Sequence, residues 1–168
     1  MNINLDDAVV VALGSNLPGV FGSSRALLQN ALARLPDAGV NVLRASPLWR
    51  SASWPDPNEP DYLNAVVLVE TDMAPQALMA ALHALERDFG RCRESPNSPR
   101  TLDLDLSAHG RTVIDAGELV LPYPRAAARR FVMGPLAQIA PAWVHPVTGL
   151  TAAELFETAD VGMDAAPV

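Results

Sequence analysis

The chain has 168 residues, of which 49% are hydrophobic and 18% are charged, and its formal net charge is −7. This composition is typical of a single folded domain rather than a disordered chain. The acidic balance argues against a general nucleic-acid binder and against a protein that binds anionic membranes. All twelve basic residues are arginine, which excludes a Walker A lysine and Schiff-base chemistry.

We expect a cytoplasmic protein that does not span a membrane. The single cysteine, Cys92, cannot form an internal disulfide, which suits a reducing compartment. The N-terminal residues are acidic and lack the apolar core of a signal peptide. No apolar run approaches the ~20 residues that a membrane-spanning helix requires.

The hydrophobic pattern predicts an alternation of strands and helices. In chain order it predicts a strand at residues 8–13, a helix at 22–35, strands at 40–50 and 62–70, a helix at 71–89 and a strand at 100–106. Apolar side chains at helical spacing indicate the helices, with Ser23 or Ser24 as the cap of the first and Pro75 at the start of the second. The order is β-α-β-β-α-β, so we expect an α+β fold of the ferredoxin-like type.

In this plan the antiparallel sheet carries both helices on one face, and we expect its other face to be free. A proline- and arginine-rich C-terminal extension follows, with a short helix near 131–139. Residues 151–154 match a capping box, which predicts a small last helix. We expect one domain over residues 1–168, with its core at about 8–156 and a poorly ordered tail at 160–168.

The strand at residues 100–106 carries the most informative pattern, Arg-Thr-Leu-Asp-Leu-Asp-Leu. Because side chains alternate between the two faces of a strand, its leucines face a core while Asp103 and Asp105 share the opposite face. Such residues lie about 6–7 Å apart at their Cα atoms, and a shared cation would relieve the repulsion between their carboxylates. Mg²⁺ suits the site, since it combines one or two carboxylates with water and phosphate oxygens. The alternative is a solvated acidic strand face.

Arginines cluster in the sequence on both sides of this strand, at positions 87, 91, 93, 100, 125, 129 and 130. Guanidinium groups bind phosphate oxygens as bidentate forks. Carboxylates for a metal beside arginines for phosphates therefore predict phosphoryl-transfer chemistry. The alternative is that these arginines form exposed ion pairs with neighbouring acids, each contributing about 0–1 kcal/mol.

The chain resembles the 6-hydroxymethyl-7,8-dihydropterin pyrophosphokinase family over about Val9 to Phe156. The most specific shared piece is Pro-Arg-Thr-Leu-Asp-Leu-Asp at residues 99–105. Supporting pieces, in the same order, are Leu-Gly-Ser-Asn-Leu at 13–17, Pro-Asp-Tyr-Leu-Asn-Ala at 60–65, Leu85-Glu86 with Gly90-Arg91, and Arg130-Phe131 with Pro135-Leu136. The resemblance implies an enzyme of folate biosynthesis that transfers pyrophosphate from ATP to the hydroxymethyl group of the pterin and releases AMP.

The resemblance also implies the residues of the reacting centre and of the ATP site. Asp103 and Asp105 match aspartates that bind two Mg²⁺ ions bridging to the ATP phosphates. Arg91 and Arg100 match arginines that hold the triphosphate, so these four are the implied catalytic residues. The implied ATP-binding positions are His83, Glu86, Arg93, Arg100, Leu106, Tyr123 and Arg129. For His83 the alternative is a plain exposed helix position.

A pterin is flat and aromatic, and needs stacking faces with a few fixed polar partners. The positions that match the family's pterin pocket are Gly14, Ser51, Ala52, Trp54, Tyr62, Asn64 and Phe131. Tyr62 and Asn64 share one face of a predicted strand, and the amide of Asn64 offers a donor and an acceptor to the ring edge. The alternative is that Tyr62 and Phe131 are core aromatics and Trp54 is an isolated surface indole.

The chain departs from the family pattern at three places. Tyr123 stands between two prolines where the family usually has His, residues 94–99 lack a tryptophan that some members carry, and residues 51–54 lack the usual prolines.

A non-catalytic paralogue that binds pterin or nucleotide as a sensor is therefore a second hypothesis. RNA binding by the sheet is a third, opposed by the charge and the strand acids. We expect a monomer whose partners are ATP and 6-hydroxymethyl-7,8-dihydropterin, without nucleic acid or membrane.

Overall fold

The computed structural model describes residues 3–53, 56–90 and 101–168. Its strands are β1 (Val9–Ser15), β2 (Asn41–Ala45), β3 (Trp49–Ser51), β4 (Tyr62–Glu70), β5 (Asp103–His109), β6 (Ile114–Ala116), β7 (Leu119–Leu121) and β8 (Ala166–Pro167). Its α-helices are α1 (Ser24–Arg34), α2 (Pro75–Asp88), α3 (Arg130–Ile139) and α4 (Ala152–Thr158). The predicted β-α-β-β-α-β order is confirmed when β2 and β3 are taken together, and so is the short helix near 131–139.

The main sheet has the order β5-β1-β4-β3-β8, and β2 also pairs with β4. All of these pairs are antiparallel. The single strand predicted at 40–50 is two strands, β2 and β3, which pair with successive halves of β4. The break falls at Ser46 and Pro47, because proline has no N–H to donate to a ladder. Ser46 instead bonds Val66 through both its backbone N–H and its hydroxyl oxygen.

One face of the sheet packs against α1 and α2, as predicted. Helix α1 begins where the Ser23 hydroxyl accepts from the backbone N–H of Ala26 at 3.0 Å, and α2 has Pro75 at its first position. The leucines of both helices are buried against alternate residues of β1, β4 and β5. The fully buried leucines of this layer are Leu27 and Leu28 in α1, Leu35 just after it, and Leu78 and Leu82 in α2.

The expectation that the other face of the sheet is free is wrong. Helices α3 and α4 cover it, and Met133, Leu136 and Leu155 pack there in a second core. The physical reason lies in β1 and β4, whose residues on this face are also apolar, as Val10 and Leu68 show. A sheet that is apolar on both faces must be covered on both.

The expectation of a poorly ordered tail at 160–168 is also wrong. Strand β8 pairs with β3, and the backbone N–H of Val168 donates to the carbonyl of Leu48 at 3.0 Å. Upstream, the N–H of Val161 donates to the carbonyl of Ala128 at 2.9 Å. A chain end is ordered when its backbone is held in this way. The predicted capping box of Thr151 and Glu154 is confirmed at the start of α4.

We predict that Gly134→Ala destabilises the fold. Gly134 lies in α3 against the indole of Trp49, and a Cβ there would lie 2.6 Å from Trp49 Cζ3. The indole cannot move freely, because its N–H donates to Gln138 Oε1 at 2.6 Å and its ring meets Phe156 edge-on. The free energy of unfolding should fall by about 1–3 kcal/mol in urea denaturation. In a Trp49→Leu background the same change should cost much less, and an equal cost in both backgrounds would contradict this account.

We also predict a pH dependence of stability from His145. The Nδ1 atom of this buried side chain accepts from the backbone N–H groups of Val147 and Thr148 at 3.2 and 3.1 Å. Burial lowers the pKa of His145 below its ordinary value. The neutral form therefore stabilises the fold fully above pH ~6.5, and this contribution is lost as the pH falls through the lower pKa of the folded state. His145→Asn keeps a hydrogen-bond acceptor that does not titrate. Between pH 7.5 and pH 5, the free energy of unfolding of this variant should therefore fall less than that of the wild type. Urea denaturation at intervals of ~0.5 pH units measures both.

Candidate active site

Two cavities meet at the carboxyl-bearing face of β5. The first cavity has a volume of about 540 Å³ and lies between the ends of β1, β3 and β4 and the start of α3. The second cavity has a volume of about 940 Å³ and lies between α2, β5 and the segment at 118–125. Asp103, Asp105 and Arg129 line both cavities. A group bound in one cavity would therefore meet a group bound in the other beside these three side chains.

The pleat of β5 places the two aspartates at this junction. Leu104 and Leu106 are 2% and 6% exposed and lie in the core beneath α1 and α2. Asp103 and Asp105 are half-buried and face the opposite side, opposite Gly14 and Ala12 of β1 in the strand register. The predicted alternation is confirmed, and Asp103 and Asp105 lie at a cavity junction rather than on an open strand face.

Arg129 is held at the junction by two aromatic rings. Its Cζ atom lies 5.6 Å from the ring centroid of Tyr123 and 5.6 Å from that of Phe131. Each contact of this kind contributes about 0.5–2 kcal/mol. Tyr123 lines the second cavity and Phe131 lines the first. The guanidinium thus contacts one ring from the lining of each cavity, and Arg129 lies where the two cavities meet.

The polar wall of the first cavity is built around Asn64. Its amide nitrogen donates to the hydroxyl of Ser51 at 2.9 Å, which orients the amide. A Cβ at Gly14 would lie 3.4 Å from Asn64 Oδ1, so the glycine leaves room beside this oxygen. Tyr62 and Ala52 complete this side of the cavity. A fixed amide beside an aromatic ring can recognise the polar edge of a flat heterocycle.

Behind this wall lies Asn16, which was not identified as a site residue from the sequence. The Asn16 amide donates to Ser53 Oγ at 3.1 Å and to the carbonyl of Pro60 at 3.3 Å, and the Ser53 hydroxyl also donates to that carbonyl. Both side chains are buried. They connect the segment after β1 to the loop between β3 and β4. Asn16 belongs to the Gly-Ser-Asn run, and a buried polar network of this kind has no spacing signal in one sequence.

The second cavity contains a buried carboxylate. Glu86 is 1% exposed, and its Oε2 atom accepts from the backbone N–H of Leu104 at 2.9 Å. This bond lies between Asp103 and Asp105, so α2 fixes the backbone that carries both aspartates. His83 and Arg87, on the same helix, also line this cavity.

The structure brings the described predicted residues together in two groups. Those lining the first cavity are Gly14, Ser51, Ala52, Tyr62, Asn64 and Phe131. Those lining the second are His83, Glu86, Leu106, Tyr123 and Arg129. Trp54, Arg91, Arg93 and Arg100 lie outside the described residues. Within the described ranges, no three His, Cys, Asp or Glu side chains converge as ligands for a metal ion.

Comparison with known sequences decides the family. Residues 10–141 match the family described as 7,8-dihydro-6-hydroxymethylpterin-pyrophosphokinase. The chain belongs to this family. It is 41% identical over 152 residues to the 2-amino-4-hydroxy-6-hydroxymethyldihydropteridine pyrophosphokinase of Synechocystis, which covers 90% of the chain and 75% of that relative. The enzyme of the same name from Pseudomonas aeruginosa is 39% identical over 133 residues, covering 79% of the chain and 80% of that relative.

Some pyrophosphokinase relatives are much longer. The folic acid synthesis protein fol1 of Pneumocystis carinii is 36% identical over 152 residues, and the chain spans only 20% of its length. The solved Plasmodium falciparum HPPK-DHPS with pterin and p-hydroxybenzoate superposes with a TM-score of 0.71 at 12% identity, covering 89% of the chain and 43% of that structure. At this identity the likeness concerns the fold, and it agrees with the α+β architecture described above.

Proposed function

We propose that the protein transfers pyrophosphate from ATP to the hydroxymethyl group of 6-hydroxymethyl-7,8-dihydropterin, releasing AMP, in folate biosynthesis. Membership of the pyrophosphokinase family supports this reaction. The observation that carries it is the meeting of two cavities at Asp103, Asp105 and Arg129. The transfer of a group from one substrate to another needs two binding sites that meet where the reacting atoms lie. A sensor that binds without chemistry is not favoured, since it would need no such junction.

We assign the pterin to the first cavity. Tyr62 and Phe131 offer aromatic surfaces, and Asn64 is oriented by Ser51 to bond the polar edge of the ring. The cavity volume of about 540 Å³ lies in the range of small-molecule sites. The hydroxymethyl group would then point to the junction.

We assign ATP to the second cavity. Arg87, Arg125 and Arg129 bring positive charge to its walls, which suits a triphosphate. His83, Glu86, Leu106 and Tyr123 are the positions that we expect on the nucleotide side. From the family resemblance, Arg91, Arg93 and Arg100 would add further guanidinium groups.

We propose that Asp103 and Asp105 hold two Mg²⁺ ions together with the phosphates. The donor set fits this ion, because Mg²⁺ takes one or two carboxylates and fills its other positions with water and substrate phosphate oxygens. When bound, Mg²⁺ would neutralise phosphate charge and polarise the attacked phosphorus. The carboxylates are carried by a strand whose backbone is fixed from α2, so their separation is set before substrates bind.

The reaction forms one bond and breaks one bond. At the phosphorus, the hydroxymethyl oxygen attacks the β-phosphorus of ATP, and the bond from the β-phosphorus to the oxygen bridging to the α-phosphorus breaks. The hydroxyl proton passes to solvent water. AMP leaves with that oxygen. Arg129 is placed to stabilise the negative charge that shifts during the transfer, since its guanidinium is already held between two rings.

We propose that the protein works as a cytoplasmic monomer with one domain. In the described part of the chain, no helix has the length and apolar character needed to cross a membrane. Size-exclusion chromatography with light scattering tests the oligomeric state.

We predict that Asp103→Ala or Asp105→Ala removes most turnover. Purified protein is incubated with ATP, Mg²⁺ and hydroxymethyl-dihydropterin, and AMP is followed over time. A loss of about three decades corresponds to roughly 4 kcal/mol of transition-state stabilisation. Asp115→Ala is the matched control, because this carboxylate is exposed on β6 and lines neither cavity. Near-wild-type turnover in either active-site variant would reject the assignment, and pterin binding without AMP release by the wild type would favour the sensor.

We predict a small gain, less than about tenfold, from Tyr123→His, together with a new pH dependence of turnover near neutrality. The ring of Tyr123 contacts Arg129, whose guanidinium already supplies positive charge at the junction. The charge there therefore does not depend on a histidine at position 123. Tyr123→Phe keeps the ring and removes the hydroxyl, which separates stacking from hydrogen bonding. AMP release is measured for both variants from pH 5 to pH 9. A gain of several hundredfold with histidine would show that the natural chain lacks a catalytic charge.

A further inference from the structure

The C-terminal segment Val161–Asp164 lines the first cavity, although it lies beyond the residues that match the family. All four of its residues belong to the lining of this cavity. No site residue was expected in this part of the chain.

The segment is held against the start of α3 by its backbone. The N–H of Arg130 donates to the carbonyl of Val161 at 2.9 Å, and Arg129 and Val161 form a parallel bridge. Gly162 has a φ of +77°, and a Cβ there would lie 2.6 Å from Phe131 Cδ1. Only glycine combines this backbone with such close contact to the ring. The segment thus lies directly on the aromatic wall of the cavity.

The Asp164 carboxylate connects this segment to the rim at Ala52. Its Oδ2 atom accepts from the backbone N–H of Ala52 at 2.7 Å, 112 positions away in the sequence. A short bond to a carboxylate is the stronger kind of hydrogen bond. Ala52 lies between Ser51, which orients Asn64, and Ser53, which is bonded to Asn16. Asp164 therefore fixes the part of the cavity rim that adjoins its polar wall.

Met163 is an apolar side chain left open at the cavity edge. It is 68% exposed, although it is next to a glycine that touches Phe131. A methionine thioether makes favourable contacts with aromatic rings and adapts its shape to them. A flat heterocycle in the cavity would give this largely exposed side chain an apolar partner.

We infer that Val161–Asp164 is a pterin-binding element of this protein: Met163 contacts the bound ring, and Asp164 is a positioning residue for the Ala52 rim. This inference rests on the proposed function, since the occupant of the first cavity is the pterin substrate. The element acts on pterin affinity and leaves the ATP side unchanged, because none of its residues lines the second cavity.

The test measures 6-hydroxymethyl-7,8-dihydropterin binding by calorimetry and the KM for each substrate in the AMP assay. Met163→Ala should weaken pterin binding about fivefold, and Asp164→Ala about tenfold. Both should raise the KM for pterin and leave the KM for ATP within about twofold. Asp164→Asn keeps an oxygen that can accept from Ala52, so it should restore most of the affinity.

Matched controls lie outside both cavities. Val147→Ala removes an apolar side chain that is 63% exposed, and Asp160→Ala removes an exposed carboxylate just before the segment. Both should bind pterin like the wild type. Wild-type affinity in Met163→Ala and Asp164→Ala, or equal losses for pterin and ATP, would overturn the inference. If the wild type itself neither binds the pterin nor releases AMP, the proposed function fails instead.

Discussion

The site depends on the way strand β5 is held against the rest of the sheet. Its leucines are buried beneath α1 and α2, and the alternation of the strand then directs Asp103 and Asp105 to the opposite face. The buried Glu86 carboxylate accepts the N–H of Leu104 between them. A buried carboxylate is costly unless it is hydrogen-bonded, so this bond ties the position of α2 to the register of β5. The core thereby sets the spacing of the two acids.

Local patterns in the sequence predict much of the fold and bring the candidate site residues to notice. The period-two alternation of residues 102–106 predicts which side chains enter the core, and the leucine spacing of α1 and α2 predicts the helices above it. Each described residue that the family resemblance implies as a ligand lines one of the two cavities. The predicted alternation and helices are confirmed because they depend on residues close together in the sequence. The ligand roles stay predictions, which the long motif makes and the shared cavities support.

The failures concern contacts between distant parts of the chain. The covered second face could have been anticipated, because Val10 and Ala12 in β1 and Val66 and Leu68 in β4 make the middle of this face apolar. The ordered tail could not, since strand β8 has two residues and no periodicity, and it forms only because β3 offers a free edge. The bond from Ala52 to Asp164 likewise joins two segments that carry no shared sequence signal.

The packing of the C-terminal extension against the sheet also builds part of the site. Helix α3 covers the second apolar face through Met133 and Leu136, and the residues at its start, Arg129 and Phe131, enter the cavity junction. Arg129 lies between two aromatic rings only when α3 is seated on the sheet, because Phe131 belongs to the helix and Tyr123 precedes it. Hydrophobic burial therefore supplies the energy that places a guanidinium beside two carboxylates, which is where electrostatic preorganisation for phosphoryl transfer is most effective.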